Sequence, residues 1–257
     1  MANLKDVLQD LVNYAVTLNL DTIRVTGTDK SVVLESVRED KKIIMKAKTK
    51  TVMKELQGTF GMPNLKILKG YVETFGRLEP AADESATTKA SKLKIEVQYN
   101  NKDTTVPTDI EFSLPGSATA LYRLKKDHLP PQPTLNSPSW DVEVKQPARA
   151  KIQEFSSFAA ILADLEKNFS VRTDGENLKF FIGDENSANS KVNFTFASGI
   201  KAKIDPKLYW QCNDFLSIMN LAANANTVVK ITNKGIIQID VDSGLIDYEF
   251  ILPGSNR

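Results

Sequence analysis

The 257-residue chain is short of the side chains that most active sites are built from. It has one cysteine, Cys212, and one histidine, His128. A single cysteine excludes a disulfide framework and a cysteine-based zinc cluster, and suits a reducing compartment. A single histidine leaves little room for a histidine-dependent triad or a multi-histidine metal site. Charge of one sign is also missing: 33 basic residues against 32 acidic ones leave a net charge of +1. That excludes a whole-chain electrostatic pull on nucleic acid and leaves open a locally segregated basic face. No apolar run approaches the roughly 18 residues of a membrane span. Met1–Val7 lacks the basic-then-apolar design of a secretory leader, so a cytoplasmic location is expected. The glycines stand singly at turns, with no loop to cradle phosphate. Asp240, Asp242 and Asp247, and the pair Asp184–Glu185, are not at metal-loop spacing and read as solvated turn acids. No catalytic residue, metal or cofactor is expected.

What is present is a chain with 41% hydrophobic and 25% charged residues, able to bury a sizeable core. Leu4, Val7, Leu8, Leu11, Val12, Ala15 and Leu18 recur at helical spacing. Alternating stretches at Thr22–Thr26, Ser31–Val37 and Lys42–Lys48 read as strands. Val52, Met53, Leu56 and Phe60 predict a second helix over Thr51–Phe60, closed by Gly61 and Pro63. Strands are expected at Leu65–Leu68, Lys92–Tyr99 and Asp109–Leu114. Gly76–Ser91 has few large apolar residues and reads as an exposed loop. Lys125–Pro138 holds four prolines, which forbid helix and favour an extended connector.

The second half repeats this plan. A helix is expected over Ile152–Leu165, then strands at Phe169–Thr173, Leu178–Ile182 and Val192–Ala197. Asp205-Pro206 has the chemistry of a helix start, leading a helix that carries Leu208, Cys212, Phe215, Leu216 and Met219 inward. Strands follow at Thr227–Thr232, Ile236–Val241 and Asp247–Leu252. Asp109–Gly116 and Asp247–Gly254 agree at six of eight positions, and Lys46-Ala-Lys48 finds a counterpart in Lys201-Ala-Lys203. The two offsets, 138 and 155, differ as an insertion at 76–91 would make them. Duplication is the better explanation. It predicts an α+β chain of two similar domains, 1–126 and 139–257, joined by the proline-rich connector 127–138.

The plan resembles the DNA sliding clamps, polymerase processivity factors of the two-domain type found in tailed phages, archaea and eukaryotes. The residues that carry the likeness are Thr173-Asp-Gly-Glu-Asn-Leu-Lys-Phe-Phe after the first helix of a half, Phe196-Ala-Ser-Gly, and the final Leu245-Ile-Asp-Tyr-Glu-Phe-Ile-Leu-Pro. In the first half, Ile44-Met-Lys-Ala-Lys and Thr51-Val-Met-Lys-Glu-Leu add to it. The resemblance implies two helices per domain on the inside of a homotrimeric ring, sheets outside, and duplex DNA in the hole. It implies a DNA polymerase and a clamp-loader ATPase as partners, no enzymatic activity of its own, and a phage or viral source acting in the host cytoplasm.

Such a ring needs diffuse positive charge and no base readout on its inner face. The DNA-facing candidates are Lys5, Lys46, Lys48, Lys50, Lys54, Arg149, Lys151, Lys167, Lys201, Lys203 and Lys207. Lys41–Lys54 alone contains six lysines and no acid, although a solvated face would look the same. The resemblance also implies a pocket for partner peptides beside the connector, with Leu129 and Leu135 on one side and Phe250, Leu252 and Pro253 on the other. The alternation of Phe250 and Leu252 fits a core position equally well. The rival readings are a virion or tail protein built from duplicated sheets, and an enzyme with an unrecognised carboxylate site.

Overall fold

The first periodic stretch folds as helix α1 (Leu4–Thr17), capped by Asn3, whose side-chain oxygen accepts from the Asp6 N–H. Its stripe of Leu4, Val7, Leu8, Leu11, Val12 and Ala15 is buried. The computed structural model describes residues 3–78, 93–100, 103–127, 129–132, 139–183 and 190–256. The chain divides into two units. One comprises Met1–Arg38, Lys46–Pro133 and Gly244–Asp247; the other comprises Glu39–Met45, Thr134–Ser243 and Tyr248–Arg257.

In the first unit α1 is followed by β1 (Thr22–Gly27), β2 (Val32–Val37), β3 (Ile44–Thr49), a single 3-10 turn (Lys54–Leu56) and β4 (Gly58–Pro63). Helix α2 (Leu65–Leu78) and strands β5 (Lys94–Asn100), β6 (Asp103–Leu114) and β7 (Ala118–Arg123) complete it. The strands lie in the orders β4–β1–β2–β3 and β5–β6–β7. Ile23, Val25, Val32, Leu34, Ala47, Phe60 and Met62 face inward, as side chains alternating along a half-buried strand must. Helices α1 and α2 pack together, and α2 lies on β6 and β7. There Tyr71 and Phe75 meet Phe112 at centroid separations of 5.8 Å.

The second unit runs β8 (Val142–Lys145), α3 (Arg149–Leu162), β9 (Asn168–Thr173), β10 (Asn177–Ile182), β11 (Val192–Ser198), β12 (Trp210–Gln211) and α4 (Cys212–Leu221). It closes with β13 (Asn226–Thr232), β14 (Ile236–Asp242) and β15 (Ile246–Pro253). The order β12–β9–β10–β11 matches β4–β1–β2–β3 element for element, and the remaining strands run β15–β14–β13–β8. The core is aromatic. Phe155 of α3 meets Phe169 and Phe180 at 5.2 Å, Phe215 at 5.8 Å and Phe194 at 6.1 Å. Such pairs add about 0.5–1.5 kcal/mol each beyond area burial. The octapeptides do not occupy equivalent strands, since β6 is the second strand after α2 and β15 the third after α4, although Ile110, Phe112 and Leu114 on the one and Tyr248, Phe250 and Leu252 on the other are all buried.

Three sequence expectations are corrected. Thr51–Phe60 is not a helix but one 3-10 turn leading into β4. Its β-branched residues and Gly58 favour the extended chain, and β4 pairs with β1 from Thr22–Pro63 to Gly27–Gly58. Leu65–Leu68 is the start of α2 and not a strand. Leu65, Leu68, Val72 and Phe75 repeat at helical intervals, visible only over a window longer than four residues. Asp205-Pro206 does not start a helix; α4 begins at Cys212. The segment before it stays extended because Trp210 pairs with Phe169 and Tyr209 exchanges backbone hydrogen bonds with Ser255 at 2.9 and 3.0 Å. Strands β7 and β8 were not foreseen. The expected loop at 76–91 begins on the last turn of α2, and from residue 79 onward lies outside the described residues.

Candidate functional site

Each unit is a layer of sheet and a layer of helix with the core between them. It therefore has two kinds of solvent face, one on the helices and one on the sheet. On α2 the solvent face carries Lys66, Lys69, Glu73 and Arg77, spaced 3, 4 and 4 residues apart so that they form one ridge. Lys69 pairs with Glu73 at 3.7 Å, and the Arg77 Nε donates to the Glu73 carbonyl at 3.3 Å. On α1 Lys5 lies against Gly76 of α2, and Asp6 is the acid of the first turn. On α3 Arg149 is exposed, while Lys151 pairs with Glu154 at 2.9 Å and stands 5.1 Å over the Phe194 ring. Helix α4 carries no basic residue; Asn213 and Asn220 are its exposed polar groups.

The strand lysines lie elsewhere. On β3 Ala47 and Thr49 face the core, so Lys46 and Lys48 project from the opposite, outward face of the sheet. Lys50 continues that row and pairs with Asp247 at 3.3 Å. Lys54 is exposed on the 3-10 turn, and Lys167 just ahead of β9. Lys201 and Lys203 are exposed on the irregular stretch after β11, and Lys207 is bound to Asp205 at 2.6 Å. The Lys46–Lys48 and Lys201–Lys203 matches thus occupy different structural positions. The fold brings Lys5, Arg149 and Lys151 onto helix faces and leaves the other candidates off them. Sequence reading did not single out Lys66, Lys69 and Arg77, because it took Leu65–Leu68 as a short strand and placed Arg77 in a loop, so the helical ridge of α2 did not show.

The connector residue Leu129 is half-buried and sits over β4. Its Cδ2 lies 3.0 Å from where a Cβ on Gly61 would be. Gly61 and Lys125 exchange backbone hydrogen bonds at 2.7 and 2.9 Å, which holds the start of the connector to the sheet. Leu135 lies outside the described residues. Phe250 and Leu252 are core residues of the second unit, 0% and 2% exposed, and Pro253 is half-buried. Of the expected pocket residues, Leu129 alone is thus placed on the outward sheet face. Among the described residues no cluster of histidine, cysteine and acidic side chains is placed to hold a metal.

Two units of one topology, each a helix pair on antiparallel sheets, define the DNA-clamp fold. No protein-family model and no curated protein matches the chain. Solved structures of proliferating cell nuclear antigen (PCNA) do. The A. fulgidus protein, solved with the C-terminal region of FEN-1 bound, superposes with TM-score 0.68 at 10% identity, over 98% of this chain and 96% of that one. The Thermococcus kodakaraensis protein gives TM-score 0.67 at 12% identity over 98% of both chains. A chain of the PCNA2–PCNA3 complex of Sulfolobus tokodaii gives 0.63 at 10% identity over 96% of both. At these identities the likeness is one of fold.

Proposed function

We propose that the chain is a sliding clamp: a non-enzymatic homotrimeric ring that encloses duplex DNA and tethers a replicative DNA polymerase. The observation that carries this reading is the agreement of the whole chain, both units included, with PCNA-type clamps. A duplicated virion protein would account for two like units but not for that agreement. The bound FEN-1 segment and the PCNA2–PCNA3 pairing in those structures support partner peptides and self-association as the matching properties here.

Self-association has a physical basis in each unit. Strand β7 is an edge of its sheet and α2 packs on it; Leu78 and Leu121 stand exposed there at 50% and 54%. Strand β11 is an edge of its own sheet and α3 packs on it; Ile161 and Leu165 stand exposed at 74% and 65%. Pairing β7 of one copy with β11 of the next would satisfy both free edges and cover both apolar patches. The contact is head-to-tail, the kind that closes into rings.

With the helix layer turned to the hole, α2 and α3 present Lys66, Lys69, Arg77 and Arg149 to the phosphates. A few cations without base contacts give weak, salt-sensitive attraction that lets the ring slide. Tethering makes re-engagement of the polymerase intramolecular, so dissociation from the primer end does not end synthesis. No nucleotide loop exists in the sequence, so opening falls to a separate clamp-loader ATPase, in the cytoplasm of the host if the source is a phage.

The test combines mass and retention. In solution the protein should weigh three times 28.5 kDa. After loading it should stay on closed circular DNA and escape when the circle is cut. The triple change K66Q/K69Q/R77Q should lower the log–log salt slope of duplex binding by about 2–3, near 0.9 per lost contact, with the mass unchanged. A monomer with no retention on circles would remove the proposal.

A further inference from the structure

Within the second unit, the start of α3, the end of α4 and the first residues of β13 enclose a cavity of about 290 Å³. That is close to the lower limit of small-molecule sites, about 300 Å³. Its floor is apolar: Ile152, Met219 and Ala222 are 5%, 5% and 3% exposed. Buried Thr227 lies among them, but its hydroxyl already donates to the Ala225 carbonyl at 3.1 Å. The mouth is different in kind. Arg149, Gln153 and Asn220 line it and are exposed. Among the described residues Arg149 has no ion-pair partner, and neither carboxamide side chain makes a hydrogen bond. Three polar groups without internal partners thus converge on one apolar hollow. No aspartate or glutamate is among the residues that line it. The first turn of α3 carries neither a side-chain cap nor an acid, so its N–H groups add to the positive charge of Arg149. Lys151 adds little, being paired with Glu154 at 2.9 Å.

We propose that this cavity binds a single nucleotide, with the base on the Ile152–Met219 floor and the phosphate at Arg149. A flat ring suits an apolar floor that includes a polarizable thioether. Each carboxamide offers both a donor and an acceptor, the pattern that matches the edge of adenine. A guanidinium can hold two phosphate oxygens at once. An inorganic anion would leave the floor uncovered, and an aliphatic acid would leave both amides without a partner. A free nucleotide and the phosphorylated end of a DNA strand carry the same chemistry. The inference does not depend on the tether reading, because every residue it uses belongs to the second unit.

The experiment titrates the intact protein with deoxyadenosine monophosphate, deoxyribose 5-phosphate, deoxyadenosine and inorganic phosphate, read by NMR and calorimetry. The nucleotide should shift the amide signals of Ile152, Asn220 and Ala223. The sugar phosphate, which has no base to stack, should bind roughly tenfold more weakly. Ala223→Trp, at an exposed position on the cavity wall, fills the hollow and should abolish binding with the solution mass and retention on circles unchanged. The surface double variant Q153A/N220A should lose roughly tenfold for the nucleotide and nothing for the sugar phosphate. A 5′-phosphorylated deoxyadenylate strand that displaces the nucleotide would make a strand end the occupant; failure to displace it would make the occupant a free nucleotide. No binding at millimolar nucleotide overturns the inference. So does equal binding of inorganic phosphate or of deoxyadenosine, or binding indifferent to both variants. A monomer that binds the nucleotide as described would keep this inference and remove the tether reading, whereas a trimer that stays on circles and ignores the nucleotide would do the reverse.

Discussion

Gly27 ends β1 at a place where no side chain fits. A Cβ there would lie 1.8 Å from the Leu56 carbonyl oxygen, a backbone atom of the 3-10 turn that cannot swing aside. Gly27→Ala should therefore cost about 1–3 kcal/mol through overpacking, read as a lower urea midpoint at unchanged slope. A midpoint equal to that of the unmodified protein would mean the turn gives way freely. Cys212 begins α4 in the core, where burial, helped by the charge of Glu166, pushes its thiol up to about 12. The thiolate is the nucleophile, so Ellman's reagent should react slowly with the folded protein and rapidly in urea. Equal rates in both would contradict the burial. The core position of Cys212 could be read from the sequence, since the residue falls on an apolar helical stripe. The crowding at Gly27 could not, because it depends on a turn that propensity had assigned to a helix.

The hairpin of β9 and β10 turns on Asp174, an exposed residue whose carboxylate is held by the Lys179 ammonium at 2.7 Å and by the backbone N–H groups of Glu176 and Asn177 at 2.9 and 2.7 Å. Lys179 first, then the two N–H groups, hold its carboxyl well below the usual carboxylate range. A depressed value in the folded state means that its contribution is present above the unfolded value, about 3.9, and is lost as pH falls through the folded one. Carbon-detected NMR should find Asp174 still ionised when ordinary aspartates are half protonated, and Lys179→Gln should move it toward the ordinary value. Ordinary titration in the unmodified protein would dismiss this account. The hairpin was legible because Asp174-Gly175 carries its own turn chemistry, and Gly175 adopts φ +96°. Helix α2 was misread because its first four residues are consistent with either period. The extended stretch after Asp205 escaped because partners remote in sequence, Phe169 and Ser255, override a local helix start.

Between copies, the proposed contact joins unlike surfaces, Leu121 on β7 of one and Ile161 on α3 beside β11 of the other. Leu121→Asp and Ile161→Asp should each reduce the solution mass from three chains to one, since either change places a charge in an apolar contact. Their mixture distinguishes this geometry from a two-fold one. Each variant keeps one sound surface and the two sound surfaces are complementary, so native mass spectrometry should find a two-chain species containing one of each. Three-chain species in both single variants would rule these strands out as the contact.

From the amino-acid order alone came the doubling of the plan, the first helix of each half and most strands. Each of these rests on local periodicity, turn chemistry or composition. It also gave the alternation of Lys46, Lys48 and Lys50, but not the side of the molecule they occupy. Alternation separates two faces of a strand without naming them; only the stacking of helices on one side of the sheet made the lysine face the outward one. The same holds for Phe250 and Leu252. Their spacing suited a pocket or a core equally, and in the folded sheet, with β15 beside β14, both are buried.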